Sequence, residues 1–562
     1  MTRREHPMTA LPPSQVCLDD ELFMGLRLGY GEAFLKVTRQ CNNRCRFCCD
    51  RTFQDGHVFP RDRAIATLEE GRRHGLENVV FSGGEPTLHP DILSLLEAAG
   101  ELGYRRISLI TNGRYFAYRE ACQRAVRAGM TTAVITLLSD RPELHDYLCG
   151  VPGAFAQSTR AVKNLVAMDA SLVSVVITVT RPVVTHLPRI VRFLHGLGVG
   201  GAALHRVAPL PWVAADPTIF FPPDMAQQPL RQAIELAHTL GLPLTVKNFP
   251  PAFLEGHEHL ISESEEFFPE VRDTERRVGL FRSLVVPGET SLCQDLDCAT
   301  CYRQPFCDYL RDLARRWRNS HGDRIRVDPE RCGPGGLARV EDSGLPLALA
   351  CAPASDGADL DSLARFARER GWQDRVTHLE LERAPDTIPE TAFPKLRAVA
   401  VRHAQGLDAS IARRPRLTHE IRLNQHTQAW VATHLDLLRS RGEGAVLTLD
   451  PHERLRGTQV EEIDLRAFFR KHSTAGITLV GVPPCLAPSA NHLPRPRVLE
   501  AQVFGAEGVL DPLEACHLFL RDGWLDKRAS CADCPQQDSC EGLPVNTLTA
   551  FGYQQLRPPS KG

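Results

Sequence analysis

The sequence has no run of 18 or more apolar residues, so it offers no transmembrane helix. It has no excess of either charge. Its 66 Lys and Arg against 68 Asp and Glu give a net charge of -2, which points to neither nucleic acid nor a membrane surface as partner. The opening MTRREHPMTALPPSQ carries basic residues with no apolar run behind them. No signal peptide is read there, and a cytoplasmic location is expected. Two catalytic signatures are also missing. There is no G-x4-G-K-[ST] phosphate loop. SGGEP, at residues 82–86, lacks the G-x-S-x-G order of a nucleophile elbow. His145–Asp146 and the HEH at 257–259 read as solvated polar loops rather than acid–base sites.

What is abundant is cysteine. Eighteen cysteines in a chain without a secretory signal are better metal ligands or buried thiols than disulfides. Their placement is uneven. Cys41, Cys45, Cys48 and Cys49 form one cluster, Cys293, Cys298, Cys301 and Cys307 a second, and Cys531, Cys534 and Cys540 a third. The other seven are scattered, as small buried hydrophobes are. A length of 562 residues implies two or more domains, and 43% hydrophobic content suffices for real cores.

Short apolar strands alternate with helical patterns along the first half: 33–38, 78–82, 106–111, 132–138, 172–180 and 201–207. Strand–helix alternation implies right-handed crossovers and a parallel sheet. Six such units are too few for a closed eight-stranded barrel, so the expected fold is α/β, a partial (β/α)6 TIM-type barrel with its site at the carboxyl ends of the strands. The first cysteine cluster, GGEP (83–86), NGR (112–114) and SD (139–140) each follow one strand, and all should line that mouth. Residues 311–346, rich in Arg, Gly and Pro, read as a linker, with a basic docking surface as the alternative. Alternation then resumes at 347–351, 378–382, 396–401, 419–424, 445–450 and 476–482, a second α/β domain of similar kind. The expected divisions are an extension over 1–29, a catalytic barrel over 30–240, a cysteine-rich region over 241–310, the linker, a second domain over 347–474 and a second cysteine tail over 475–562.

The two cysteine tails are copies. Shifted by 233 positions, Thr245 meets Thr478, Pro250 and Pro251 meet Pro483 and Pro484, and His259 and Leu260 meet His492 and Leu493. The same shift carries Cys298, Cys301 and Cys307 onto Cys531, Cys534 and Cys540 without a gap. A module of strand, Pro-Pro turn and cysteine tail is therefore used twice. A fourth ligand is available in each copy, Cys485 in the second and Cys293 in the first, but not at equivalent positions.

The loop CNNRCRFC can offer three thiolates to one iron–sulfur cubane, leaving one iron open. Zinc is the rival and would want a fourth ligand, Cys49 or His57. The order CNNRCRFC, FSGGEPTLHP and ITNG resembles the radical S-adenosylmethionine (radical SAM) superfamily over about residues 30–210. That resemblance implies a [4Fe–4S] cluster on Cys41, Cys45 and Cys48, with S-adenosylmethionine (SAM) on the open iron. It places Phe47 near the adenine, Gly83 and Gly84 at the methionyl amine, and Glu85 and Pro86 in the same turn. Asn112, Ser139 and Arg181 are candidate polar contacts, and Cys49 is a bystander. The C-x2-C-x5-C tails resemble part of the SPASM or twitch tails of such enzymes. They imply possible auxiliary [4Fe–4S] clusters on Cys293, Cys298, Cys301 and Cys307 and on Cys485, Cys531, Cys534 and Cys540, with zinc as the alternative. The second domain lacks the cysteine triplet and the Gly-Gly turn, so it is expected to keep the scaffold without cleaving SAM. The implied activity is hydrogen abstraction by a 5′-deoxyadenosyl radical from a peptide or protein, or alternatively from a small molecule in biosynthesis. An electron donor such as flavodoxin or ferredoxin is the implied partner. An iron–sulfur electron carrier or zinc-stabilised scaffold is the non-enzymatic alternative.

Overall fold

The computed structural model describes residues 24–27, 31–51, 54–208, 211–262, 304–319, 324–329, 332–343, 345–350, 360–381, 391–403, 417–449, 451–495, 498–504 and 510–558. These fall into two compact units, one up to Phe253 and the other from Leu254 to residue 262 and from Pro305 onward. No helix among the described residues is long and apolar enough to cross a membrane.

The first unit is one sheet of eight strands lying side by side in chain order. They are β1 (Met24–Arg27), β2 (Glu32–Thr38), β3 (Asn78–Gly83), β4 (Arg106–Thr111), β5 (Thr132–Thr136), β6 (Val173–Val179), β7 (Gly201–Arg206) and β8 (Leu244–Lys247). β1 runs antiparallel to β2, and every later pairing is parallel. Seven parallel strands are present where six were expected. The seventh, β8, is the strand of the first repeat copy, so the expected boundary at 240 separates it from its own sheet.

Helices α1 (Arg61–Arg73), α2 (Ile92–Glu101), α3 (Arg119–Arg127), α4 (Pro142–Cys149), α5 (Ala154–Val166), α6 (Leu187–Leu197) and α7 (Gln227–Leu240) lie between the strands in the chain. α6 shows why they pack: Leu187, Ile190, Val191 and Leu194 recur at helical spacing and are fully buried. β6 shows the complementary rule. Val173, Val175, Ile177 and Val179 are buried on one face, whereas Ser174, Val176 and Thr178 on the other are only half-buried. The helices cover the first face, and the second is the concave interior of a partial barrel.

The second unit contains a nine-stranded, wholly parallel sheet. Its strands are β9 (Arg324–Val327), β10 (Leu347–Ala350), β11 (Val376–Leu381), β12 (Ala398–His403), β13 (Thr418–Leu423), β14 (Ala445–Leu449), β15 (Thr478–Val480), β16 (Asn491–Leu493) and β17 (Val498–Glu500). The order is β16-β15-β14-β13-β12-β11-β10-β9-β17, so β16 and β17 form opposite edges. Laid flat, nine strands would span about 38 Å. Leu493 and Val498, however, are five residues apart and reach at most about 18 Å. The sheet must therefore roll until its edges approach, which makes it a barrel like the first.

The expected linker is a correction. Residues 311–346 hold most of helix α8 (Gln304–Asn319), strand β9 and helix α9 (Pro334–Ser343), which open the second barrel. The Arg-rich composition hid the helical period. Phe306, Leu310, Leu313 and Ala314 are buried along α8, while Arg311 and Arg315 pair with Asp308 and Asp312 three residues earlier. In β9 the pattern RIRV buries Ile325 and Val327 and sends its arginines to the other face.

Candidate metal centre and cofactor site

Cys41, Cys45 and Cys48 stand on the loop that leaves the carboxyl end of β2. Backbone bonds clamp this loop on two sides. On one side, Gly84 N–H donates to Thr38 O (2.8 Å) and Glu85 N–H to Gln40 O (2.7 Å). On the other, Arg44 N–H donates to Cys149 O (2.8 Å) and Arg46 N–H to Leu148 O (3.0 Å), at the end of α4. Arg114, just past β4, donates to Asn42 O (2.5 Å) and to Asn43 Oδ1 (3.1 Å). The three cysteines are half-buried and Cys49 is exposed. Burial pushes the Cys41 thiol up and the Cys48 thiol to about 11. Cys45 is raised most, by burial first and then by the negative charge Cys48 and Cys41 would carry beside it. Desolvation pushes the Cys49 thiol up to about 12 as well, so the shift does not single out the trio; a cationic metal centre would offset it for whichever thiols it binds.

The Gly-Gly turn is shaped by the same loop. Gly83 has φ +134°, and a Cβ on it would lie 2.3 Å from Thr38 O. A Cβ on Gly84 would lie 2.2 Å from Gln40 O. The resemblance implies a methionyl amine beside these glycines; the structure gives them a nearer task, close approach to the backbone that carries Cys41. A Gly84→Ala substitution must therefore push the cysteine loop away. We expect it to lower iron bound at this loop at least several-fold, with far-ultraviolet circular dichroism unchanged.

Glu85 is 1% exposed. Its Oε1 accepts from Thr87 N–H (3.2 Å), Thr87 Oγ1 (2.6 Å) and Thr111 Oγ1 (2.7 Å), and its Oε2 accepts from Asn112 N–H (2.7 Å). Burial raises its pKa, against the pull of these bonds. Glu85 is thus a tie between the ends of β3 and β4. Asn112 continues the chain of contacts, its Nδ2 donating to Asn42 Oδ1 at 2.6 Å. The structure therefore gathers Cys41, Cys45, Cys48, Gly83, Gly84, Glu85 and Asn112. Pro86 is buried in the same turn, and Phe47 is half-buried on the cysteine loop. Ser139 is buried, and its Oγ accepts from Arg141 N–H (3.1 Å) within its own turn. Arg181 is exposed, with its N–H donating to Ile219 O (2.7 Å).

Several participants were missed. Thr111 and Arg114 lie within the quoted ITNG and NGR but were given no role, which only the partners across the mouth reveal. His205 lies on the interior face of β7, in register with Thr178 and Lys247. Burial, then the Lys247 charge, lowers its pKa to about 4. Burial likewise lowers His145 and, in the second unit, His378 to about 4. Unfolded, these imidazoles take up protons near pH 6.5; folded, they stay neutral down to about pH 4, so acidification across that window favours unfolding. The thermal midpoint should fall between pH 6.5 and pH 5, and an unchanged midpoint would contradict this.

Among the described residues, one trio of metal-ligand atoms lies mutually within 4.8 Å: His145, Asp146 and Cys149. Its members are already employed. His145 Nδ1 accepts from Leu138 N–H (3.1 Å), and Asp146 accepts from Gly153 N–H (2.6 Å) and Phe155 N–H (2.8 Å). This is a brace for α4 and α5. The thiols of Cys41, Cys45 and Cys48 form no such close trio, nor do those of the tail. Three thiols on one short loop suit a cubane that leaves its fourth iron open, whereas a structural zinc would want a fourth ligand.

In the second unit Cys485, Cys531, Cys534 and Cys540 line one small pocket with Lys527, Gln536 and Gln537. Burial raises the Cys485 and Cys531 thiols. The pocket is braced by the first repeat copy, because Glu255 accepts from Arg528 Nη2 (2.6 Å) and Glu258 from Tyr553 N–H (3.0 Å). Cys307 is half-buried on α8, whereas Cys293, Cys298 and Cys301 lie outside the described residues.

The concave face of the second barrel is occupied by its own charges. Arg326 on β9 reaches Glu380 (2.7 Å) and Glu500 (3.1 Å), and Arg402 reaches Glu380 (2.6 Å) and Glu420 (3.2 Å). Ala348 and Ala350, on the same face of the intervening β10, give Arg326 room to cross. The flanking arginines hold the Glu380 carboxyl below its usual range despite the burial that opposes it. The first barrel is mixed at comparable places: Ser82, Thr136 and Thr178 are small and neutral, while Lys36 lies in register with Ser82, and His205 and Lys247 with Thr178.

Residues 35–194, from β2 to α6, match the family model of the radical SAM superfamily. The chain carries a radical SAM domain. That superfamily works with a [4Fe–4S] cluster and SAM, and the radical SAM domain here includes the whole cysteine loop, the Gly-Gly turn and Asn112. The AdoMet-dependent heme synthase of Oleidesulfovibrio alaskensis is 31% identical over 174 residues, 30% of this chain and 43% of that protein. A probable GTP 3′,8-cyclase of Saccharolobus islandicus is 28% identical over 142 residues, 25% of this chain and 44% of that protein. The chain thus spans less than half the length of these curated relatives. Streptococcus suis SuiB, solved bound to its precursor peptide SuiA, aligns with a TM-score of 0.34 and 16% identity over 49% of this chain and 63% of that one.

Proposed function

We propose that the protein is a radical SAM enzyme with a single SAM-cleaving centre, in which Cys41, Cys45 and Cys48 hold the [4Fe–4S] cluster. The observation that carries this reading is the three-cysteine loop at the carboxyl end of β2, seated against a Gly-Gly turn that no side chain could share. When bound, the cluster and SAM supply a 5′-deoxyadenosyl radical that abstracts hydrogen from substrate. The chain's own residues position and shield. Glu85 and Arg114 fix the loop, Asn112 and Phe47 border the cofactor, and the half-open inner face carrying Thr136, Thr178 and His205 receives the substrate.

The substrate we favour is a peptide or protein side chain, because the duplicated C-x2-C-x5-C tails resemble those of peptide-modifying members. Small-molecule biosynthesis is the second reading, supported by the printed activities of the heme synthase and the cyclase. Cys485, Cys531, Cys534 and Cys540 are proposed ligands of an auxiliary cluster. Cys293, Cys298, Cys301 and Cys307 are the proposed set of the first tail. Iron and sulfide analysis after anaerobic reconstitution, with an assay for 5′-deoxyadenosine released by dithionite-reduced protein, tests the reading. Iron without SAM cleavage would leave an electron carrier, and zinc in place of iron a scaffold.

A further inference from the structure

The second barrel carries a cavity of about 540 Å³ where the chain leaves β14. That is the carboxyl end of a parallel strand, the end at which α/β barrels place their ligands, and the volume lies in the range of ligand sites. The wall comes from residues 451–461, which include the helix Leu455–Glu461, and Arg521 joins it from a later segment. The wall is held in place. Asn546 Nδ2 donates to His452 O (2.9 Å), and Gly457 lets the helix approach the His452 ring, since a Cβ there would lie 3.2 Å from Nδ1.

Arg454, Arg456 and Arg521 line the cavity with Glu453 and Glu461, but the two signs are not equally satisfied. Glu453 holds the His517 ring (2.8 Å) and Glu461 the His426 ring (2.9 Å), so each carboxylate has a partner. Arg521 gives Nε and Nη2 to Asp522 (2.8 and 2.6 Å), while its Nη1 makes no hydrogen bond among the described residues. Arg456 is exposed and pairs with none of them. The donors left over are guanidinium N–H groups, which match a carboxylate. Val460 adds an apolar element: at 58% it is the most exposed large aliphatic side chain among the described residues. Arg454, Arg456 and Val460 are all exposed, so a ligand seated here keeps one side in water, as a segment of a longer chain does. Arg521 also stands 3.8 Å from Glu500 of the charged lumen, so the cavity adjoins a filled interior and suits recognition rather than chemistry.

We propose that this cavity binds an acidic peptide segment, with a Glu or Asp side chain meeting Arg456 and Arg521 and a neighbouring aliphatic residue covering Val460. The proposal deepens the peptide reading of the substrate and rests on it.

The test measures fluorescence anisotropy of a labelled Gly-Glu-Leu-Glu-Leu-Glu-Gly peptide with the full chain, beside the same peptide carrying Gln for Glu. Wild-type protein should bind the Glu peptide at least about tenfold tighter than the Gln peptide, and less tightly at high salt. Arg456→Glu should weaken binding of the Glu peptide at least about tenfold, and Val460→Asp at least about threefold. Arg456→Lys should restore part of the loss, which a merely structural role would not predict. Arg365→Glu, an equal charge change at an exposed position in the helix Leu360–Glu369, should leave binding as it is. Equal affinity for the two peptides, wild-type affinity in Arg456→Glu, or the same loss in Arg365→Glu overturns the site. Displacement of the peptide by equimolar inorganic phosphate would assign the arginines to phosphate and overturn it too. Dithionite-driven 5′-deoxyadenosine release by the wild type is assayed separately, and its failure overturns the radical SAM reading while the binding result stands.

Discussion

The Cys41→Ala/Cys45→Ala/Cys48→Ala variant will release no detectable 5′-deoxyadenosine, yet it will keep the iron held by the tails. The loss is total rather than graded because a cubane held by this loop draws all three of its protein ligands from Cys41, Cys45 and Cys48. Cys49, adjacent in sequence, is exposed and points to a different role. The retained iron follows from the second tail's thiols belonging to the second unit, where Cys485, Cys531, Cys534 and Cys540 share one pocket. Inductively coupled plasma analysis alongside the SAM assay distinguishes the outcomes. A variant that retains its full iron would show that these cysteines are not ligands. One that loses all iron would show that the tail pocket holds none.

Replacing Glu380 by Ala should destabilise the second unit by about 1–3 kcal/mol, the cost of removing one of two charged hydrogen-bond partners from each of two guanidinium groups. Glu380 is 5% exposed and serves both Arg326 and Arg402, so its removal takes one of two carboxylate partners from each and leaves them Glu500 and Glu420. Glu380→Gln, which keeps the shape and one acceptor, should cost less. Urea denaturation followed by Trp fluorescence reads this, and Trp372 in the second unit is buried enough to report it. A Glu380→Ala protein with the wild-type midpoint would mean that the charged lumen is solvated and not a packed plug. The plug also explains why the second barrel should bind no SAM. Its concave face is filled by a continuous network of Arg–Glu pairs, and no such network is seen among the described residues of the first barrel's inner face.

Much of this was legible in the sequence because parallel strands buried on both faces are short apolar runs. The expected 106–111 is β4 residue for residue, and the other listed strands of the first half shift by one or two positions. The cysteine loop was legible for a different reason: its spacing is set by the metal chemistry and not by packing. Glu85 was legible as part of a turn but not as the acceptor of four hydrogen bonds, since its donors Thr111 and Asn112 come from the next strand. β9 was illegible because its inward positions are arginines, which read as a solvated linker until Glu380 and Glu500 are seen opposite them. The rolled second sheet was illegible too, since only strand order reveals that β16 and β17 are opposite edges joined by a short span.

The central claim is one SAM-cleaving centre in a chain with two barrels. Electron paramagnetic resonance of the dithionite-reduced, fully reconstituted protein, recorded without and with SAM, tests it most directly. One cluster per chain should change its spectrum on SAM addition, and that change should vanish in the triple-cysteine variant while the remaining signals persist. Two SAM-responsive clusters per chain, or a response that survives the triple substitution, would contradict it.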